Sequence, residues 1–181
     1  MSVRTIAAMA LIWALAGGRP TFAQTVSPSR VFADAAIMID HDPTEFFYGS
    51  ATGAAGRGAM GLQMSQQSGL RFEVDVPSWR VMDTASSHVA VRTVSYSFLY
   101  ARRLPMAQHL QVSLLAGGAI EDRAYQASTL SDKDWFAAVL GVDAEMGITS
   151  HLALTPQFRF HTFPYPHVSI ARPGVALRWH F

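Results

Sequence analysis

The chain has 181 residues, half of them hydrophobic and only 15% charged, against roughly 25% charged in an ordinary soluble domain. Its 11 Phe, 4 Trp and 5 Tyr exclude a disordered tail, and the absence of cysteine excludes both a disulfide scaffold and a lipoprotein anchor. Fourteen basic residues against 13 acidic ones, with Lys133 as the single lysine, leave no field that would draw nucleic acid.

Residues 1–23 read as a secretory leader. Arg4 supplies the positive n-region, Ile6 to Gly17 the apolar stretch, and Thr21-Phe22-Ala23 a small-x-small cleavage site before Gln24. The apolar run is too short for a spanning helix, which needs roughly 20 residues. A mature chain of Gln24 to Phe181 loses Arg4 and Arg19, leaving 12 basic against 13 acidic residues and a net charge of −1.

No mature segment is long and apolar enough for a membrane helix; alternation takes its place. A weak period of two runs from Val31 to Asp40. The connection His41 to Ala55 follows, rich in Gly and carrying the aromatic run Phe46, Phe47 and Tyr48 as an exposed loop. A second weak strand covers Ala59 to Ser65, and Gln66 to Gly69 is a short turn. From Leu70 to Val76 the period is strict: Leu70, Phe72, Val74 and Val76 share one face, and Arg71, Glu73 and Asp75 the other. A connection at Pro77 to Ser87 precedes a strand at His88 to Tyr100 whose Val94, Tyr96, Phe98 and Tyr100 share a face. Ala101 to Gln108, with Pro105, connects it to Leu110–Ile120, where Leu115 alone breaks the pattern.

After the connection Asp122 to Lys133, the face Phe136, Ala138, Leu140, Val142 and Met146 opposes Gly141, Asp143 and Glu145. A tight turn at Thr149 and Ser150 leads to Leu152, Leu154, Phe158 and Phe160, set against Thr155, Gln157 and Arg159. Past the connection Phe163 to Pro166, Val175, Leu177, Trp179 and Phe181 oppose Gly174, Ala176, Arg178 and His180. The count is eight strands, with long connections alternating with mostly short ones, as in an all-β, eight-stranded antiparallel up-and-down transmembrane barrel. A soluble sandwich or a periplasmic barrel also alternates. The membrane version is favoured because Arg71, Glu73, Asp75, Asp143, Glu145, Arg159 and Arg178 all oppose the apolar stripe with mixed sign, as a polar lumen requires. Tyr100, Trp179 and Phe181 also stand where an aromatic girdle belongs, and the chain ends on an aromatic strand.

The last strand, Arg172 to Phe181, and the run Gly141-Val142-Asp143-Ala144-Glu145 resemble the small eight-stranded outer-membrane barrels of OmpA/OmpX type and opacity-protein-like domains. The resemblance covers nearly all of the mature chain. It implies that Gly174, Leu177, Trp179 and Phe181 form a C-terminal assembly signal read by the outer-membrane insertion machinery. It further implies a Gram-negative-type outer membrane, lipid as surroundings and a monomer. Pro156, mid-strand on the lipid face, departs from the pattern and marks a bulge or an altered register. No peptidoglycan-binding module is expected after Phe181.

An eight-stranded barrel is just wide enough for side chains to fill, so a structural or adhesin-like role is expected, with an extracellular protein or surface ligand as partner of the loops. A narrow channel is the alternative, and a lipid A-modifying enzyme the third reading. His167-Val168-Ser169 resembles the His-x-Ser pair of the lipid A deacylases, yet no acidic residue follows Glu145 to complete the site. Neighbouring His161, His167 and His41 across the last loop offer a weak metal constellation, and the other histidines, 88, 109, 151 and 180, form no ligand spacing. No catalytic residue, cofactor or metal ligand is assigned.

Overall fold

A computed structural model describes residues 31–42, 51–77, 80–83, 88–107, 110–126, 133–164 and 169–181. The leader, the aromatic run Phe46, Phe47 and Tyr48, His109 and His167 lie outside them. The strands are β1 (Val31–Asp42), β2 (Ala51–Gln63), β3 (Ser68–Pro77), the four-residue β4 (Arg80–Asp83), β5 (His88–Ala107), β6 (Leu110–Gln126), β7 (Lys133–Gly147), β8 (Leu152–Thr162) and β9 (Ser169–His180). All pairings are antiparallel between chain neighbours, β9 returns to β1, and β3 reaches β5 directly. β4 pairs with β5 beyond the end of β3, so β3 and β4 together form one stave and the closed barrel has eight.

Closure is what a chain in lipid needs, because no water satisfies a sheet edge there. The stagger follows from the pairing. Val31 leads through Leu62, Leu70, Tyr100, Ala116, Leu140, Phe160 and Ala171 back to β1 at His41, ten residues beyond the start. That stagger goes with strand tilts at the steep end of the usual range of about 35–45°.

Several strands run further than their hydrophobic pattern. β2 begins at Ala51, so the Gly/Ala tract expected to be loop is wall, with Ala54, Gly56 and Gly58 opposite Ile39, Ile37 and Ala35 of β1. Residues this small carry little periodic signal, but the backbone groups of β1 need partners all the same. β5 extends to Ala107, which leaves only two residues before β6 begins at Leu110 and puts Pro105 inside the strand, beside the register shift at Pro105/Ala107. The expectation at Pro156 is corrected in the opposite sense. The β7–β8 register is the same on either side of it, Asp143 opposite Gln157 and Met146 opposite Leu154, and two pairs are simply missing between. A proline withholds one donor without requiring an extra residue.

The outside is apolar. Ile37 and Phe136 are 78% and 65% exposed, in a belt with Met60, Phe72, Phe98, Ile120, Leu140 and Leu177. The mid-strand charges occupy the enclosed side, while Arg92, Arg102, Asp122 and Asp134, nearer the barrel ends, are exposed. A soluble sandwich would bury the first set and expose the second, so that alternative is overturned; so large an apolar surface fits only lipid.

Candidate functional site: the barrel lumen

The seven charged residues expected to face inward all do so, each buried: Arg71, Glu73, Asp75, Asp143, Glu145, Arg159 and Arg178. They are joined by Asp34, Asp40, Arg57, Glu121, Arg172, His161 and His180. Among the described residues the lumen thus holds five fully buried arginines and seven carboxylates, with Arg103 half-buried at the short-turn mouth, against the three arginines and four carboxylates expected from the sequence. The additional residues obey the same parity. Asp34 and Asp40 lie in the weakly patterned β1, Arg57 between the expected loop ending at Ala55 and the second strand starting at Ala59, Glu121 one step past the assigned strand end, and Arg172 at the head of the last strand, ahead of the alternation that starts at Gly174. Extending each alternation by a few residues would have found them.

The groups form one connected network. Arg57 grips Asp75 through two nitrogens, Nη2 donating to Oδ2 at 2.9 Å, and stands 3.3 Å from Glu73. Glu73 also receives Arg159 Nη2 at 2.6 Å and pairs with Arg71. Arg159 and Arg71 both reach Asp143, at 2.7 and 2.6 Å. Arg178 bridges Asp34, Asp143 and Glu145 at 2.9, 2.7 and 2.7 Å, and His180 completes the short-turn end at 2.9 Å from Glu145. Toward the long-loop end Arg172 donates to Asp40, Asp75 and Glu121 at 3.2, 3.1 and 2.9 Å, with His161 3.3 Å from Glu121. Gly141 makes room for part of this, since a Cβ there would lie 2.7 Å from Arg159 Cδ.

Much of the rest of the lumen is apolar or small. Leu99, Leu115, Ala119, Ala137 and Val139, on β5, β6 and β7, are buried together with Phe163 and Ile170. Phe163 meets Trp135 edge-on, ring centres 6.2 Å apart, near the long-loop end. Near the short-turn end Phe32 fills the bore, its ring lying against Gly61 and under the guanidinium of Arg178 at 4.3 Å. Arg103 Nη1 donates to Gln63 Oε1 at 2.6 Å from β5 to β2, past the intervening β3. Beside them a void of about 20 Å³, bordered by Phe32, Arg71, Arg103, Asp143 and Arg178, has room for a single water.

The other sequence assignments fall as follows. Leu177, Trp179 and Phe181 point outward, 53%, 49% and 70% exposed, and His151 stacks on Trp179 with ring centres 6.0 Å apart. Phe181 N–H donates to the Val31 carbonyl at 3.2 Å, and Gly174 pairs with Met38. His161 is a lumen residue, not a loop residue, while His41 Nδ1 lies 3.0 Å from Thr52 Oγ1, so the proposed meeting of His41 and His161 in a loop is corrected. The alternation that places Arg159 inward places His161 inward as well. Among the described residues no group of three or more His, Asp or Glu is arranged to hold a metal ion. Ser169 donates to Thr162 Oγ1 at 3.3 Å, and its supposed partner His167 lies outside the described residues.

No protein-family model matches the chain, nor does any curated protein. Solved structures do. Neisserial surface protein A superposes with a TM-score of 0.67 at 14% identity, covering 84% of this chain and 98% of that one. The chain has the fold of the small eight-stranded outer-membrane β-barrels. The outer membrane protein OprG of Pseudomonas aeruginosa gives 0.64 at 7% identity, over 87% of this chain and 99% of its own. Ail, the attachment invasion locus protein of Yersinia pestis, solved with the heparin analogue sucrose octasulfate, gives 0.63 at 6%, over 83% and 97%. At such identities the likeness to these outer-membrane barrels is one of fold alone.

Proposed function

We propose that the protein is an integral outer-membrane barrel of structural and surface-directed function, non-catalytic, with the short turns in the periplasm and the long loops outside the cell. The filled lumen is the observation that carries this reading: an ion-pair network runs most of its length and aromatic side chains stand at both ends. A barrel with no open bore acts through what it displays. In this reading residues 1–23 are removed on export, outward Leu177, Trp179 and Phe181 present the last strand to the insertion machinery, and the loop with Phe46, Phe47 and Tyr48 meets an extracellular protein or surface ligand. Ail, of like fold, was crystallised with a heparin analogue, which makes a sulfated polysaccharide a reasonable first probe.

The test has two parts. The mature chain in planar lipid bilayers is expected to give no ion-conducting steps, and cells displaying it should retain a sulfated polysaccharide that cells displaying a variant lacking residues 44–49 do not. A narrow channel is the second reading, favoured by the void at the short-turn mouth and by the unbroken line of ionisable groups. Conducting steps from the unaltered protein that grow in Phe32→Ala would establish it in place of the first.

A further inference from the structure

The charges of the lumen are sorted by strand. On β8 and β9 the buried ionisable groups are Arg159, His161, Arg172, Arg178 and His180, and no Asp or Glu follows Glu145 in the chain. On the two flanking strands they are all acidic: Asp143 and Glu145 on β7, Asp34 and Asp40 on β1. The backbone is sorted in the same way. The β8–β9 ladder is continuous from Leu152 opposite Trp179 to Thr162 opposite Ser169, straight past Pro156 and Pro173. Each outer ladder of this hairpin lapses for two pairs. The β7–β8 ladder breaks between Asp143/Gln157 and Met146/Leu154, at Pro156, and the β1–β9 ladder between Met38/Gly174 and His41/Ala171, at Pro173. Both prolines therefore turn their donorless nitrogens away from the hairpin partner and toward a flanking strand.

Ion pairs stand at these lapses. Asp40 and Arg172 occupy facing positions in the gap of the β1–β9 ladder, and Arg172 donates to Asp40 at 3.2 Å; five residues before the gap begins at Ile39, Asp34 is directly opposite Arg178 and accepts at 2.9 Å. Across the other seam Arg159 reaches Asp143 at 2.7 Å and Arg178 reaches Glu145 at 2.7 Å, the latter residue within the interrupted stretch of β7. By contrast, the β5–β6 ladder has an unbroken register from Ala90/Gln126 to Pro105/Gln111.

We infer that the β8–β9 hairpin is the separable unit of this barrel: a cationic pair of staves that docks on two anionic neighbours, held at its seams by lumen ion pairs where the backbone ladders lapse. Sorting by sign also fixes its register, since a shift of two residues on β9 against β1 would break both facing pairs at once. The inference goes beyond the surface-directed function and does not depend on whether the lumen conducts.

Hydrogen exchange resolved by peptide on the full-length folded protein in lipid nanodiscs tests it. In the unaltered chain, amides of β1, β8 and β9 along the two seams should exchange at least tenfold faster than those at the centre of β5 and β6. In the double variant Asp34→Asn/Asp40→Asn, exchange at the β1–β9 seam should rise at least a further tenfold with β5 and β6 little changed. A disulfide from Ile37→Cys and Val175→Cys, facing positions across that seam, should reverse the rise, whereas one from Leu114→Cys and Val142→Cys across β6–β7 should not. Uniform exchange in the unaltered chain overturns the inference even if the double variant does not fold. So does acceleration spread equally over β5 and β6, or equal rescue by the two disulfides.

Discussion

The hairpins β5–β6 and β8–β9 are built on opposite plans within one barrel. The first is long, with one backbone register over most of its length, and turns Ser95, Ser97, Leu99, Leu115 and Ala119 into the lumen. The second is shorter, has proline on both strands and interrupted outer ladders, and turns Arg159, Arg172 and Arg178 inward. The two walls need each other. Five guanidinium groups facing an equally bulky wall would not fit a bore this narrow, and small side chains such as Ser95, Ser97, Ala119 and Ala137 on β5–β7 leave the space into which the long arginines reach. One wall therefore supplies backbone continuity and volume, and the other cross-barrel ties, because an arginine with five donors can join strands that share no ladder. Arg172 does so from β9 to Asp75 of β3 and Glu121 of β6.

The largest effect should separate these walls with the same replacement residue. Arg159→Met leaves Glu73 and Asp143 each short of a partner in a buried site, and breaking such a pair costs about 3–5 kcal/mol. Leu115→Met on β6 conserves volume among apolar neighbours and should cost under about 1.5 kcal/mol. Urea unfolding of each protein in lipid vesicles measures both. Equal losses would mean that the arginines only fill space, and the contrast between the walls would disappear.

On the outside the hairpins should behave alike. Phe98 of β5 and Phe158 of β8 are 59% and 42% exposed in mid-strand, so Phe98→Arg and Phe158→Arg should each destabilise by about 2–4 kcal/mol if the ring lies near the bilayer midplane. The same vesicle titration reads this, and loss at one position alone would show that the belt is not continuous round the barrel.

How much of this was legible in the sequence follows from where a period of two has contrast. Leu70 to Val76 alternates large apolar with charged residues and assigns every side chain correctly, because both faces announce themselves. Ala51 to Gly58 has the same geometry but almost no side chains on either face, and Arg57 was lost with it. Glu121 was missed through a strand end set by the last large apolar residue, although the strand runs on to satisfy its neighbours' backbones, and Arg172 because the alternation of the last strand was followed only from Gly174. The pairing of the charges was not legible at all. Which arginine meets which carboxylate depends on the ten-residue stagger accumulated round the barrel, a property of the closed sheet and of no single strand.

The smallest expected effect probes β5, whose buried side chains, Thr93, Ser95, Ser97 and Leu99, are uncharged among the described residues. Ser97 of β5 is 1% exposed, and its hydroxyl has no hydrogen-bond partner among the described residues, although Glu73 stands opposite on β3. Glu73 is already engaged by Arg57, Arg71 and Arg159, so the carboxylate gains little from a serine. Ser97→Ala removes a hydroxyl that made no bond among the described residues, so stability should change by no more than about 0.5 kcal/mol in either direction. A loss above about 1 kcal/mol in the same titration would mean that the hydroxyl belongs to the polar network.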